Sequence, residues 1–278
     1  MKANLRRFLG ASCVALQALL PLRAAEVAEP FKIGVAPHTS ARFILEQYQP
    51  LRMHLAKALG VEVEIVTAPD FTDYARQAIA QKFDLAVTTG HQARLLQADF
   101  RYIPLITYKA AFKSLVITTQ KGGIRTAKDL NGTTVIGLSP TSLVTLWGQH
   151  WLDRSGCKDV TVRYVSAADS VAQLLLSGEG TAGFVSLPNF QNLAPEVQTG
   201  LRVLAESPAL AGRVYVLNQR QRARRAAVEA ALWSFAGSAE GKRYLEKNKL
   251  EGYRKLKKGE LEAMDPFADE VRRNLGLK

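Results

Sequence analysis

Along almost the whole chain, short β-rich runs alternate with segments of helical period, and this most narrows what it can fold into. The run Phe31-Lys32-Ile33-Gly34-Val35-Ala36 precedes a segment in which Leu51, Leu55 and Leu59 share one helical face. Pro50 suits the first position of that helix and Gly60 its end. Residues 61–67 read as a strand and residues 70–82 as a helix capped by Asp70 or Thr72. Leu85-Ala86-Val87-Thr88 is a third strand, which completes a β-α-β-α-β unit with parallel strands and crossover helices.

The same alphabet restarts after Tyr102-Ile103-Pro104-Leu105-Ile106. Residues 114–119 are extended, residues 133–138 form a buried strand, and Ser139-Pro140-Thr141-Ser142 opens a helix through Trp147 and Trp151. Strand 160–165, helix 170–176 and strand 182–185 follow. Strands at 202–205 and 214–217 then return the chain to the first unit, with one long helix over 224–244 whose stripe is Val228, Leu232 and Phe235. The pattern predicts an α/β protein of two lobes: residues 26–112 and 213–278 in lobe 1, residues 113–212 in lobe 2. Hinges are expected near 112–118 and 213–217.

Residues 1–25 carry Lys2, Arg6 and Arg7 ahead of an apolar stretch that ends at Arg23-Ala24-Ala25, the pattern of a secretory signal peptide cut at Ala24 or Ala25. The stretch is shorter than the ~20 residues a membrane-spanning helix needs. Cys13 sits too early in it for a lipidation box, so a periplasmic protein without a lipid anchor is expected. With Cys13 removed, Cys157 has no partner for a disulfide, and the fold must hold by its core. The formal charge of +12 includes four cations of residues 1–25, which leaves +8 beyond them. That balance favours anionic ligands. The late basic runs around Arg224 and Lys257 read as solvated surface, and export argues against nucleic acid.

Three segments have the chemistry of an anion cradle: Pro37-His38-Thr39-Ser40, Thr88-Thr89-Gly90-His91-Gln92 and Ser139-Pro140-Thr141-Ser142. Each follows a strand, where ligands collect in open α/β sheets, and helix starts there offer N–H groups and hydroxyls. Ser and Thr are also the commonest helix caps, so each segment has a purely structural reading too. Ser114 flanks a hinge. The four histidines and Cys157 form no metal-coordination set, and no nucleophile motif is present, so neither a metal, a cofactor nor a catalytic residue is expected.

In this order the residues resemble the phosphonate-binding family, the periplasmic components of ABC importers for phosphonate, phosphite and phosphate. The likeness runs through Lys32-Ile33-Gly34-Val35, Tyr48-Gln49-Pro50-Leu51, Asp70-Phe71-Thr72-Asp73-Tyr74 and Asp84-Leu85-Ala86. It continues through Asp129-Leu130-Asn131-Gly132, Leu176-Ser177-Gly178-Glu179 and Ala205-Glu206-Ser207-Pro208. The resemblance implies a type II periplasmic-binding fold with a small anionic ligand in the cleft between lobes. It also implies a monomer that meets an inner-membrane ABC permease or, as a sensory module, a membrane receptor such as a histidine kinase. The family's Ser-Thr-Ser-Gly run falls on Ser142-Leu143-Val144-Thr145, its Gly-Pro on Thr89-Gly90, and its Ser-His-Asp on Ala167-Ala168-Asp169. A family acidic position falls on Ser186, which argues against a ligand bearing an amine. The expected ligand residues are therefore His38, Thr39, Thr88, Thr89, Gly90, His91, Ser114, Ser139, Thr141, Ser142 and Ser186.

Overall fold

Two mixed sheets divide the strands between them in a computed structural model that describes residues 29–277. The expected signal peptide and the Cys13 motif lie outside the described residues. The first run comprises β1 (Phe31–Val35), α1 (Ala41–Leu59), β2 (Val63–Val66), α2 (Phe71–Ile79), β3 (Leu85–Thr89), α3 (Gly90–Asp99) and β4 (Ile103–Tyr108). The second comprises β5 (Ser114–Thr119), β6 (Thr134–Gly137), α4 (Leu143–Arg154), β7 (Thr161–Tyr164), α5 (Ala168–Leu176), β8 (Ala182–Ser186), α6 (Leu187–Gln191), α7 (Pro195–Thr199) and β9 (Leu201–Glu206). The chain then returns as β10 (Arg213–Leu217), α8 (Arg225–Gly237), α9 (Ala239–Lys247), β11 (Tyr253–Arg254) and α10 (Asp265–Leu275).

The first sheet has the order β11-β4-β10-β3-β1-β2 and the second β7-β6-β8-β5-β9. Strands β2, β1 and β3 pair in parallel because helices connect them, whereas β10 enters from the other sheet and pairs antiparallel with β3 and β4. Ile33, Val35, Leu85, Val87, Tyr215 and Leu217 carry one face of this sheet into a core with Leu51, Leu55, Val228, Leu232 and Phe235. On the other face Gly34 is required: a Cβ there would lie 2.3 Å from the buried ring of Phe83.

Two elements depart from the sequence reading. Helix α1 begins at Ala41, so Pro50 lies inside it. The interior proline leaves the carbonyl of Glu46 without its helical donor, but Glu46 is exposed and water can serve it. The buried stripe Ile44, Tyr48, Leu51 and Leu55 continues through both halves and holds the helix together. The single helix expected over 224–244 is instead α8 and α9, broken at Ser238. Ser238 is extended and its Oγ accepts the Gly241 N–H at 2.9 Å, an N-cap that starts a second helix.

The chain passes between the sheets at residues 109–113 and 207–212, which are bridged at Phe112 and Leu210. Strands β5 and β10, read from sequence as hinge segments, each lie wholly within one sheet. Behind the crossings α10 ties both parts together: Arg272 pairs with Asp99 and Arg94 with Asp265 on α3, at 2.6 Å each, while Glu270 pairs with His150 on α4. Leu95, Leu146, Ala268 and Val271 pack under these pairs.

Candidate functional site

A cavity of about 200 Å³ lies between the N-terminal end of α1 and the second-sheet helices α5 and α6. From the first part it is lined by His38, Thr39, Phe43, Gln47, Asn248 and Arg213, and from the second by Asp169, Ala172, Asn189 and Phe190, among others. Ser40 occupies the N-cap of α1 without a side-chain cap hydrogen bond, and no acidic residue sits in the first turn. The N–H groups at this helix start therefore keep their donor capacity beside the cavity.

Arg213 is the first residue of β10, and its placement follows from pairing: it stands opposite Thr89 of β3, with Val214, Tyr215 and Val216 following into the core. Its Nη1 is buried and has no hydrogen-bond partner, and the same holds for the hydroxyl of Tyr48. Among the described residues no carboxylate pairs with Arg213. Around it lies a cluster of tyrosines in which Tyr108 Oη meets Tyr215 Oη at 2.6 Å and Tyr244 Oη at 2.9 Å, while Tyr215 Oη meets Tyr253 Oη at 3.0 Å. Burial, then the neighbouring phenols, raises the pKa of Tyr108, Tyr215 and Tyr244, and burial raises that of Tyr253, so these rings are neutral. Burial works against the charge of Arg213, while Tyr48, Tyr108 and Tyr244, which favour it as they ionise, leave its pKa raised on balance, so the guanidinium stays charged. The result is a guanidinium that keeps its charge, faces a cavity it shares with Asp169, and makes no ion pair.

His38 closes the same cavity. Its Nδ1 lies 2.8 Å from the carbonyl of Ala36 and its Nε2 lies 3.3 Å from Gln47 Oε1. Burial, helped by the charge of Arg213, lowers its pKa to about 3. Asn189 Nδ2 donates to the His38 carbonyl at 3.0 Å, a bond from the second-sheet part to the first.

The other expected ligand residues have different positions. The segments of Thr88 to Gln92 and Ser139 to Ser142 face each other across a seam between the two parts and are occupied by mutual hydrogen bonds. Thr88 Oγ1 donates to Gln92 Oε1 at 2.9 Å, and Thr89 Oγ1 lies 3.1 Å from His91 Nδ1. His91 Nε2 and Gln92 Nε2 both reach the Thr141 carbonyl, at 2.9 and 3.3 Å. Thr141 Oγ1 in turn meets Thr72 Oγ1 at 3.2 Å and Ser139 Oγ at 3.4 Å. Burial lowers the His91 pKa to about 4, against a smaller opposing effect of the Thr141 carbonyl. Gly90 serves close packing, since a Cβ there would lie 2.3 Å from that of Ala211. Ser186 caps α6 by accepting the Asn189 N–H at 3.3 Å. Ser114 Oγ and Ser142 Oγ are buried without partners. Of the expected set, His38 and Thr39 line the cavity.

Arg213, Asp169, Gln47, Asn189, Asn192 and Asn248 are polar lining residues outside the expected set, and Gln47, Asn189 and Asn248 are the three amides that hydrogen-bond along the wall. A signal for Arg213 exists: it is a charged residue opening the apolar strand Val214-Tyr215-Val216-Leu217 with no acidic residue nearby in the chain. Nothing local marks the three amides.

The chain matches the family model of the ABC transporter phosphonate periplasmic substrate-binding protein over residues 33–261. Among solved structures, PhnD1 from Prochlorococcus marinus, in complex with methylphosphonate, matches with a TM-score of 0.74 at 16% identity, covering 88% of this chain and 98% of that one. XAC2383 from Xanthomonas citri, bound to chloride ion, matches with a TM-score of 0.72 at 17% identity, covering 88% and 99%. The periplasmic aliphatic sulphonate binding protein SsuA from Escherichia coli matches with a TM-score of 0.51 at 16% identity, covering 90% and 80%. The fold is that of type II periplasmic binding proteins, as the sequence pattern and the resemblance implied.

Proposed function

The chain belongs to the family of periplasmic substrate-binding proteins of phosphonate ABC transporters, and from that premise we propose that it captures a small phosphate- or phosphonate-like oxyanion in the Arg213 cavity for an inner-membrane ABC permease. In this reading residues 1–25 direct export, the protein works as a monomer, and the ligand leaves chemically unchanged. The observation that carries it is the Arg213 guanidinium: its Nη1 is a buried donor with no partner, beside a helix N-terminus and in a cavity whose one acidic lining residue, Asp169, makes no ion pair with it. A buried charge without a counter-charge is costly to fold around, and an oxyanion in hydrogen-bond reach removes that cost. PhnD1 was solved with methylphosphonate, which supports the choice of ligand class.

Ligand entry requires the two parts to separate. The bonds Asn189 to His38, Lys249 to Gln191 and His91 to Thr141 all cross between them and must open together. The backbone passes between the two parts at 109–113 and 207–212, which are the hinge in this reading, with the His150–Glu270 pair of α4 and α10 as a further tie.

A thermal-shift panel of phosphate, phosphite, alkylphosphonates, 2-aminoethylphosphonate, sulfate and small carboxylates on residues 26–278 tests the reading. A ligand at a hundred times its Kd adds about 2.7 kcal/mol. For a protein of this size that raises Tm by about 5–10 °C. Stabilisation by oxyanions is expected; stabilisation by uncharged or cationic compounds alone overturns the proposal.

A further inference from the structure

The cavity wall contains a hydrogen-bonded chain whose polarity is set by a backbone carbonyl at each end. Asn248 Nδ2 donates to the carbonyl of Tyr244 at 2.8 Å. A carbonyl only accepts, so the amide oxygen of Asn248 points the other way, where it takes Gln47 Nε2 at 2.9 Å. Gln47 Oε1 is then the atom that faces His38 Nε2, at 3.3 Å. On the far side of the ring, Nδ1 faces the Ala36 carbonyl at 2.8 Å. Both ring nitrogens thus meet acceptors, and the two terminal carbonyls dictate this whichever way the amides were first assigned.

A neutral imidazole has one N–H and one lone pair, so it can satisfy only one of these contacts; an imidazolium satisfies both. His91 in the same protein shows the alternative. Its Nε2 faces the Thr141 carbonyl, but its Nδ1 faces the Thr89 hydroxyl, which can donate, and the neutral ring is fully matched.

We propose that His38 is the second cation of the anion site and takes up its proton together with the ligand, so that the cavity favours doubly charged oxyanions over singly charged ones. This inference rests on the reading of the Arg213 cavity as an anion site. The charged and titratable groups around His38 are Arg213 from β10, Asp169 from α5, Tyr48 from α1 with its ring centroid 6.1 Å away, and Tyr244 from α9. Gln47, Asn189 and Asn248 are neutral. Burial and Arg213 oppose the proton on His38. Arg213 is the charge that acts on His38, and Asp169 on the opposite wall is not among the causes of its shift, so a singly charged ligand cancels only Arg213 and leaves the effect of burial. A doubly charged one makes the balance negative, and an opposite charge about 4–6 Å away moves such a group by about 1–3 pH units toward its charged form.

The test is ring nitrogen NMR of protein labelled at histidine, titrated from pH 7 down to about pH 4.5, a window that covers a rise of about 1–3 pH units, with no anion and with saturating methylphosphonate, sulfate or methanesulfonate, the His38 signals being assigned with His38→Gln. The ring is expected to stay neutral through this range without anion and with methanesulfonate, and to gain its proton within it when sulfate is bound; methylphosphonate, mostly singly charged in water over the same range, tests binding only. His38→Gln is expected to lose at least tenfold in sulfate affinity while methanesulfonate changes less than threefold. A ring that stays neutral under bound sulfate, a ring already charged without anion, or equal losses for both sulfur anions overturns the proposal and leaves the Arg213 site standing. If none of the three anions binds, the anion site itself fails, and this inference with it. In Arg213→Met without ligand, His38 is expected to titrate at higher pH than in the wild type; an unchanged titration also refutes the role given to Arg213.

Discussion

Replacing Arg213 by methionine separates a binding residue from a structural one, because the two roles predict opposite signs for stability. In the folded protein the guanidinium is a buried cation without a carboxylate partner, facing neutral tyrosines. Methionine keeps most of the side-chain volume and suits an aromatic surrounding. It removes a charge whose burial is partly uncompensated, so the protein without ligand is expected to gain about 1–3 kcal/mol, the scale of an unsatisfied buried polar group. For a chain of this size that is a rise in Tm of about 2–12 °C. The bound anion loses its counter-charge, which costs about 2–5 kcal/mol for a desolvated charge pair. At 1.4 kcal/mol per factor of ten, the affinity falls by about 30-fold to about 4,000-fold. Arg213→Lys keeps the charge but loses the planar fork, and it is expected to fall between wild type and Arg213→Met. Calorimetry with the best anion of the panel gives the affinities, and thermal melts without ligand give the stabilities. A variant that binds that anion within threefold of wild type, or that melts lower by more than the equivalent of 1 kcal/mol, would show that Arg213 supports the tyrosine cluster rather than a ligand.

Other outcomes follow from the seam and the crossings. Ser142→Ala removes a buried hydroxyl without a partner, so stability is expected to hold or rise by up to about 1 kcal/mol and anion affinity to change less than threefold; a tenfold loss of affinity would place the ligand at the start of α4 instead. His91 is buried and has a folded pKa of about 4 against an ordinary 6.5, so the unfolded chain binds the extra proton between these values. The His91 contribution is therefore expected to be full above about pH 6.5 and to fall by roughly 3 kcal/mol as the pH drops to about 4, and His38, with its pKa lowered to about 3, loses a comparable amount over the same range. Urea melts at pH 7.0, 5.5 and 4.5 check this, and a His91→Asn variant with the same pH slope would assign the loss to other groups. Gly90→Ala drives a Cβ against Ala211, two residues before Arg213, and is expected to cost about 1–3 kcal/mol in urea melts and to weaken anion binding as well; wild-type stability would mean that the crossing at 207–212 shifts freely.

The amino-acid sequence by itself determined the elements and their class. Alternation of apolar residues and helical spacing are local properties, and strands such as Leu85–Thr89 and Ala182–Ser186 carry their burial in their own composition. Local rules failed where a longer-range effect competed with them. Pro50 looks like a helix start until the stripe from Ile44 to Leu55 holds the turns on both sides of it, and the break at Ser238 depends on one hydroxyl reaching Gly241. Of the proposed site in the Arg213 cavity, the sequence made only the edge legible, through His38 and Thr39. A serine or threonine after a strand reads the same whether it caps a helix, closes a seam or meets a ligand, and its partner decides which. That partner is far away in the chain: the Thr141 carbonyl takes His91 from 50 positions earlier, and Asn248 reaches Gln47 across 201. Only the tertiary structure sets Arg213 among neutral tyrosines, without an ion pair among the described residues. Charge balance depends on distances in space, and those are fixed when β10 crosses back into the first sheet.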